Sequence, residues 1–180
     1  MRWLTLVILG SLTVVVQTTV MPRFDVWGIR PDLVLVLVVF FAMHARMPDA
    51  AVGAWVLGMM ADLMSIERPG LMAMSYMLVS IMVASSREYL FRYRSLTQII
   101  VTWVACFVVQ AVWMGYRRFL YPDGYSWWAD LFTFVVPCAV YTALFAPPLH
   151  KILLPMSKAL GIERPQYSYA GLERLTDRHV

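Results

Sequence analysis

Six apolar runs separated by short polar gaps organise the chain, at about residues 3–21, 33–43, 50–66, 71–85, 96–114 and 128–149. A helix crossing the hydrocarbon core of a bilayer needs about 20 apolar residues, within a range of about 17–25. Most of the runs have that size, so the pattern predicts an all-α membrane protein. Its body is a bundle of six transmembrane helices over residues 1–155, followed by a polar cytoplasmic tail at 156–180 that is too short for a domain. The first run carries one arginine ahead of it, as a signal peptide would. Its apolar stretch is long, however, and no small-x-small cleavage site follows, so it is read as the first membrane helix. The second run is the short one. Residues 33–45 rise only about 20 Å at 1.5 Å each, against a core about 30 Å thick. It spans if Asp32 and Arg46 lie near the interfaces or if the bilayer thins; the alternative is a re-entrant segment. Pro137 falls inside the sixth run, and Pro147-Pro148 is expected to end it.

Composition strengthens this picture. Of the 180 residues, 61% are hydrophobic and 14% charged, whereas a soluble domain has about 25% charged residues. The net charge of +4 does not point to nucleic acid, because the cations sit in the gaps and the tail and form no basic stripe interleaved with aromatics. They do orient the chain. With the N-terminus inside, the inner segments hold Arg2, Arg46, Arg87, Arg92, Arg94, Lys151, Lys158, Arg164, Arg174 and Arg178, and the outer loops hold Arg23, Arg30, Arg68, Arg117 and Arg118. Positive charge favours the cytoplasmic side, so both termini are expected there. Trp3 then marks an inner edge, and Trp27, Trp113, Trp127 and Trp128 mark outer edges. Residues 87–94 alternate arginines with Tyr89, Phe91 and Tyr93, and read as an interfacial stretch on an anionic inner leaflet.

Catalysis finds no support. His44, His150 and His179 have no second histidine or cysteine at ligand spacing, and no nucleophile elbow, phosphate loop or zinc-protease motif occurs. Cys106 and Cys138 lie inside apolar runs and read as small hydrophobes in a core. No cofactor or metal is expected. The informative residues are the polar ones within or at the ends of spans, where they are costly in lipid. Gln17, Asp32 and Asp62 fall at one membrane depth, near the outer side. Two readings stand: a hydrogen-bonded packing cluster, with Arg30 or Arg68 neutralising a carboxylate, or a ligand or proton site. In the third span Ala51, Ala54, Gly58, Ala61 and Ser65 recur at spacings of three and four, forming one face of small residues. Gly70, Ala73, Ser80 and Ala84 do so in the fourth, with Met77 interrupting, and Gly10 and Thr13 share the face of Gln17 in the first. Such faces let helix backbones approach closely, either within the bundle or against another protein's helix. The outer segment 116–128 carries Arg117, Tyr121 and Tyr125, residue types enriched at binding hot spots. It is read either as a partner contact or as an ordinary aromatic belt.

Several of these elements together resemble the rod shape-determining protein MreD family. They are Gln17-Thr18-Thr19 ending the first span, Arg30-Pro31-Asp32-Leu33 opening the second, Gly53 with Gly58-Met59-Met60-Ala61-Asp62-Leu63 in the third, and Gly70-Leu71 opening the fourth. The resemblance in order and spacing covers roughly residues 10–85; the later spans match in length and hydropathy alone. It implies a non-catalytic scaffold of the bacterial cell-elongation machinery in the cytoplasmic membrane. Such a scaffold binds MreC and works beside RodA, a class B penicillin-binding protein and, indirectly, MreB. The family fold is thought similar to the six-helix substrate-binding subunits of energy-coupling-factor transporters. That similarity supplies an alternative, a small-molecule-binding transporter subunit. Those subunits typically carry Ala-x-x-x-Ala in the first span, and residues 1–20 here contain no alanine.

Overall fold

A computed structural model describes residues 3–26, 28–64, 70–86, 95–120 and 127–156. In chain order these form α1 (Trp3–Thr19), a 3-10 turn (Met21–Phe24), α2 (Leu33–His44), α3 (Met47–Met64), α4 (Leu71–Ser86), α5 (Ser95–Leu120), α6 (Trp127–Asp130), a π turn (Leu131–Val135) and α7 (Val136–Met156). The last three run on without a break, so the described residues contain six helices besides the 3-10 turn. The α1–α2 connection is pinned by a tight turn. Val26 and Ile29 exchange backbone hydrogen bonds at 3.1 and 3.2 Å, and Gly28 takes a φ of +81° that a side chain would strain.

The organising element is the short second helix. From Leu33 to Met43 every residue of α2 is buried, and α1, α3, α4, α5 and α7 pack around it. A helix that is apolar on all sides is a buried one, and here protein provides the enclosure. The twelve residues of α2 rise about 18 Å, too little to cross a bilayer core alone, but this helix has no lipid-facing side to match to the membrane. The outer surface of the bundle is apolar instead: Leu4 is 77% exposed, Leu63 73% and Phe119 86%. In water such a surface would drive association. Two helices, Leu96–Leu120 and Trp128–Pro155, are long and apolar enough to cross a membrane, and α1, α2 and α4 are shorter apolar helices.

The most extensive helix contact is between α3 and α4. Gly58 makes it possible: a Cβ there would stand 2.7 Å from the Ala73 nitrogen and 2.9 Å from the Met72 carbonyl oxygen, both backbone atoms. Ala54 beside it is fully buried. Gly10 likewise brings α1 onto α3, where a Cβ would meet the end of the Leu57 side chain.

Two helix ends differ from the sequence expectation. The sixth helix does not stop at Pro147-Pro148 but continues to Met156. A proline removes one N–H and crowds the preceding turn, yet packing against α2 and α5 holds the helix through them. Pro137 is accommodated by the π turn immediately before it, in which the Val136 N–H reaches back five residues to the Leu131 carbonyl. The fifth helix runs to Leu120, beyond the expected end at 114, so Arg117 and Arg118 stand in its last turn rather than in a loop. Cations there complement the negative end of the helix dipole, and the Arg117 guanidinium lies 4.2 Å above the Trp113 ring.

Candidate functional site

The first N–H groups of any helix lack intrahelical acceptors, and in lipid no water replaces them. The starts of α2 and α4 therefore need capping groups, and the polar residues of the spans supply them. At α2, Asp32 is the N-cap: one carboxylate oxygen accepts the Leu35 N–H at 3.0 Å. The other accepts the Tyr76 hydroxyl, from α4, at 2.6 Å. The Asp32 N–H donates to the Thr142 hydroxyl of α7 at 3.1 Å. Gln17, near the end of α1, uses both ends of its amide. Its Nε2 donates to the Pro31 carbonyl at 3.0 Å, and its Oε1 accepts the Leu33 N–H at 2.9 Å. The three residues that open α2 are thus tied to α1, α4 and α7.

The start of α4 has no cap of its own. Its N-cap position is Gly70, at a φ of +109°, whose carbonyl accepts the Met74 N–H at 3.0 Å. The missing acceptor comes from α3. The Asp62 carboxylate, 3% exposed, accepts the N–H groups of Gly70 at 2.8 Å, Met72 at 3.2 Å and Ala73 at 3.1 Å. These are charge-assisted bonds at the positive end of a helix dipole. Gly58, one turn before Asp62, lets the two backbones come close enough for it.

Gln17 and Asp32 therefore meet around one helix start, and Asp62 serves another. Among the described residues, the backbone amides of Gly70, Met72 and Ala73 are partners of Asp62. Arg30 goes to Asp25, at 2.8 Å; Arg68 lies outside the described residues. On the small-residue face of α3, Ala54 and Gly58 are buried against the bundle and Ala51 and Ala61 are half-buried, while Ser65 is outside the described residues. On α4, Ala73, Ser80 and Ala84 are buried. Of the outer trio, Arg117 is half-buried and Tyr121 and Tyr125 are outside the described residues, as are Trp27, residues 87–94 and the tail from 157.

Sequence reasoning missed two members of the cluster, Tyr76 and Thr142. Both carry a hydroxyl inside an apolar run, and Tyr76 falls between Ala73 and Ser80 on the small face of α4, which is the available signal. It also treated the histidines as separate. His44 stacks on Phe40 with ring centres 4.5 Å apart, and His150 meets the same ring edge-on at 5.4 Å. Each histidine also bonds a carbonyl one turn back on its own helix. Among the described residues no group of three His, Cys, Asp or Glu side chains could hold a metal.

Buried polar struts in a fully helical bundle with an apolar exterior define a multi-pass membrane protein. The chain matches the family model described as rod shape-determining protein MreD over residues 1–156, and it belongs to that family. The match takes in all six helices. Membership makes it a non-catalytic membrane protein with a role in rod shape determination. No individual curated protein and no solved structure matches the chain.

Proposed function

We propose that this protein is a rigid scaffold of the rod complex. It sits in the bacterial cytoplasmic membrane with both termini inside, binds MreC, and through it supports the peptidoglycan synthases RodA and a class B penicillin-binding protein, with MreB engaged indirectly. The observation that carries this reading is the use made of the membrane-embedded carboxylates. Asp32 and Asp62 accept hydrogen bonds from helix starts and from Tyr76. A ligand site would keep such groups facing a cavity; a scaffold spends them on fixed geometry. One groove between α4 and α5, of about 580 Å³, is lined by Met74, Leu78, Ile81, Met82 and Val112 together with Ser75, Ser85 and Ser86. That apolar groove suits lipid or another helix better than a polar nutrient.

The partner contact is proposed at the outer end of α5, where Arg117 stacks on Trp113 and Tyr121 and Tyr125 follow in the sequence. Arginine and aromatic residues dominate binding energy at interfaces. Purification from mild detergent, with identification of what accompanies the protein, tests the reading. MreC or cell-wall synthases are expected. Recovery of ATPase-linked transporter subunits in their place would favour the small-molecule-binding alternative.

A further inference from the structure

The helices around α2 differ in length, and the difference falls on one side of the bundle. Hydrogen bonds set a common level. Gln17 of α1 reaches the Pro31 carbonyl and the Leu33 N–H, Tyr76 of α4 reaches Asp32, and Thr142 of α7 accepts the Asp32 N–H. Below this level, toward the end of α2, α1 extends to Trp3, α4 to Ser86 and α7 to Met156. Those lengths are about 21, 15 and 21 Å along each helix. Above it α1 ends at Thr19, about 3 Å on, and α4 begins at Leu71, about 8 Å on. The continuous α6–α7 helix reaches up to Trp127, about 22 Å on.

The exposed apolar side chains follow the same division. They run from Leu96 to Phe119 on α5 and from Trp128 to Leu154 on the α6–α7 helix, about 35 and 39 Å. On α1 they run from Trp3 to Val15, about 18 Å. A bilayer core is about 30 Å thick, so the α5–α7 side fills it and the α1 side does not. Where the core would continue beyond α1 there is a polar ledge. Arg23 and Arg30 are exposed on it, and Arg30 pairs with Asp25. The level of this ledge is fixed against α7, because the Arg30 carbonyl accepts the Cys138 thiol at 3.5 Å. From Cys138 the helix rises further past Phe134, Phe132 and Trp128, all exposed. Exposed ions beside α1 thus stand lower than lipid-facing rings of α6–α7.

We propose that this protein thins the bilayer beside α1, holding phospholipid headgroups on the Arg23–Arg30 ledge about 10–15 Å deeper than they lie around α5 and α7. A leaflet shortens to meet a short span at modest cost, whereas charged groups left in hydrocarbon cost more. The guanidinium groups complement lipid phosphate. The ledge is therefore a lipid-binding surface, and lipids with short chains fit it best.

The full-length protein is placed in phosphatidylcholine vesicles that contain a fraction of lipid with a nickel-chelating headgroup. A nitroxide is attached through a keto amino acid at Thr19, Ala111 or Phe119, all exposed positions, so both native cysteines stay in place. Ala111 follows Gln110, which meets Cys138 at 3.6 Å, one turn above Thr142. It therefore stands no lower than Thr19. Headgroup nickel should relax the label at Thr19 about as strongly as the label at Phe119, and the label at Ala111 much less. The same label at Val20 should repeat the Thr19 result. A flat bilayer would relax Ala111 at least as strongly as Thr19, and that order would overturn the proposal. Relaxation of Thr19 by a soluble nickel chelate without relaxation by headgroup nickel would show a water-filled recess and would also overturn it.

Discussion

The Asp62 carboxylate accepts the backbone N–H of Gly70 at 2.8 Å, so the end of α3 caps a helix whose own N-cap residue has no side chain. Removing this acceptor takes the Asp62 carboxylate away from three amides at the start of α4, of which the Ala73 bond is fully buried. Asp62→Ala is expected to lower stability by about 1–3 kcal/mol, the cost of unsatisfied buried groups. Asp62→Asn should fall between it and wild type. Its one oxygen can keep the Gly70 and Ala73 bonds, but its NH₂ would face the Met72 amide. Thermal melting in detergent gives the order, and a wild-type melting temperature for Asp62→Ala would contradict the capping role.

Gly58 and Gly10 both serve close helix contacts, yet they should respond differently to alanine. The added methyl at Gly58 meets the backbone of Ala73 and Met72, which can yield only if α4 moves off α3 and loosens its cap. Gly58→Ala is expected to cost about 1–3 kcal/mol, as overpacking does. At Gly10 the obstacle is the tip of Leu57, a flexible side chain, and alanine gains about 1 kcal/mol of helix propensity over glycine. Gly10→Ala should melt close to wild type. Equal losses at the two sites would contradict the distinction.

Tyr76 and Asp32 tie α4 to α2 through a 2.6 Å hydrogen bond. Tyr76→Phe and Asp32→Asn should each destabilise, and the double variant should lose less than the sum. Groups in one hydrogen-bond network couple by about 0.5–3 kcal/mol. Asparagine is itself a good N-cap, so Asp32→Asn tests the Tyr76 bond, whereas Asp32→Ala also removes the cap on Leu35. Strict additivity in the melting data would show that the bond is not formed in the membrane protein.

Orientation follows from charge. With ten arginines and lysines on one side of six spans and five on the other, the C-terminus is expected in the cytoplasm. A reporter fused after Val180 that works only in the cytoplasm should be active, and a periplasm-dependent reporter silent. The reverse pattern would invert the bundle.

How far the sequence could be read depended on the kind of interaction. Hydropathy revealed the helices because lipid imposes one length and one polarity on each span. Gln17, Asp32 and Asp62 stood out because polar groups are rare at that depth. Many of their partners were hidden, since five of them are backbone amides, of Leu33, Leu35, Gly70, Met72 and Ala73, which leave no mark in a sequence. The buried state of α2 was equally hidden. Its shortness looked like a spanning problem, while its burial on every side depends on neighbours far along the chain. The run through Pro147 and Pro148 contradicts local propensity because tertiary packing outweighs it. The hydroxyls of Thr142 and Tyr76 were readable in the sequence, but their bonds to Asp32 were not until α2, α4 and α7 were brought together.

The central claim is that the buried polar residues act as struts, so that function fails only when the fold does. The direct measurement is cell shape in a rod-shaped bacterium depleted of its own MreD and supplied with Gln17→Leu, Asp32→Asn, Asp62→Asn, Asp62→Ala or Tyr76→Phe, with the folded amount of each protein determined in the same cells. Rod width should follow folded amount alone, and every variant brought to the wild-type level should restore rods. A variant that folds to the wild-type level and still leaves cells round would contradict the account and mark its residue as part of a working site.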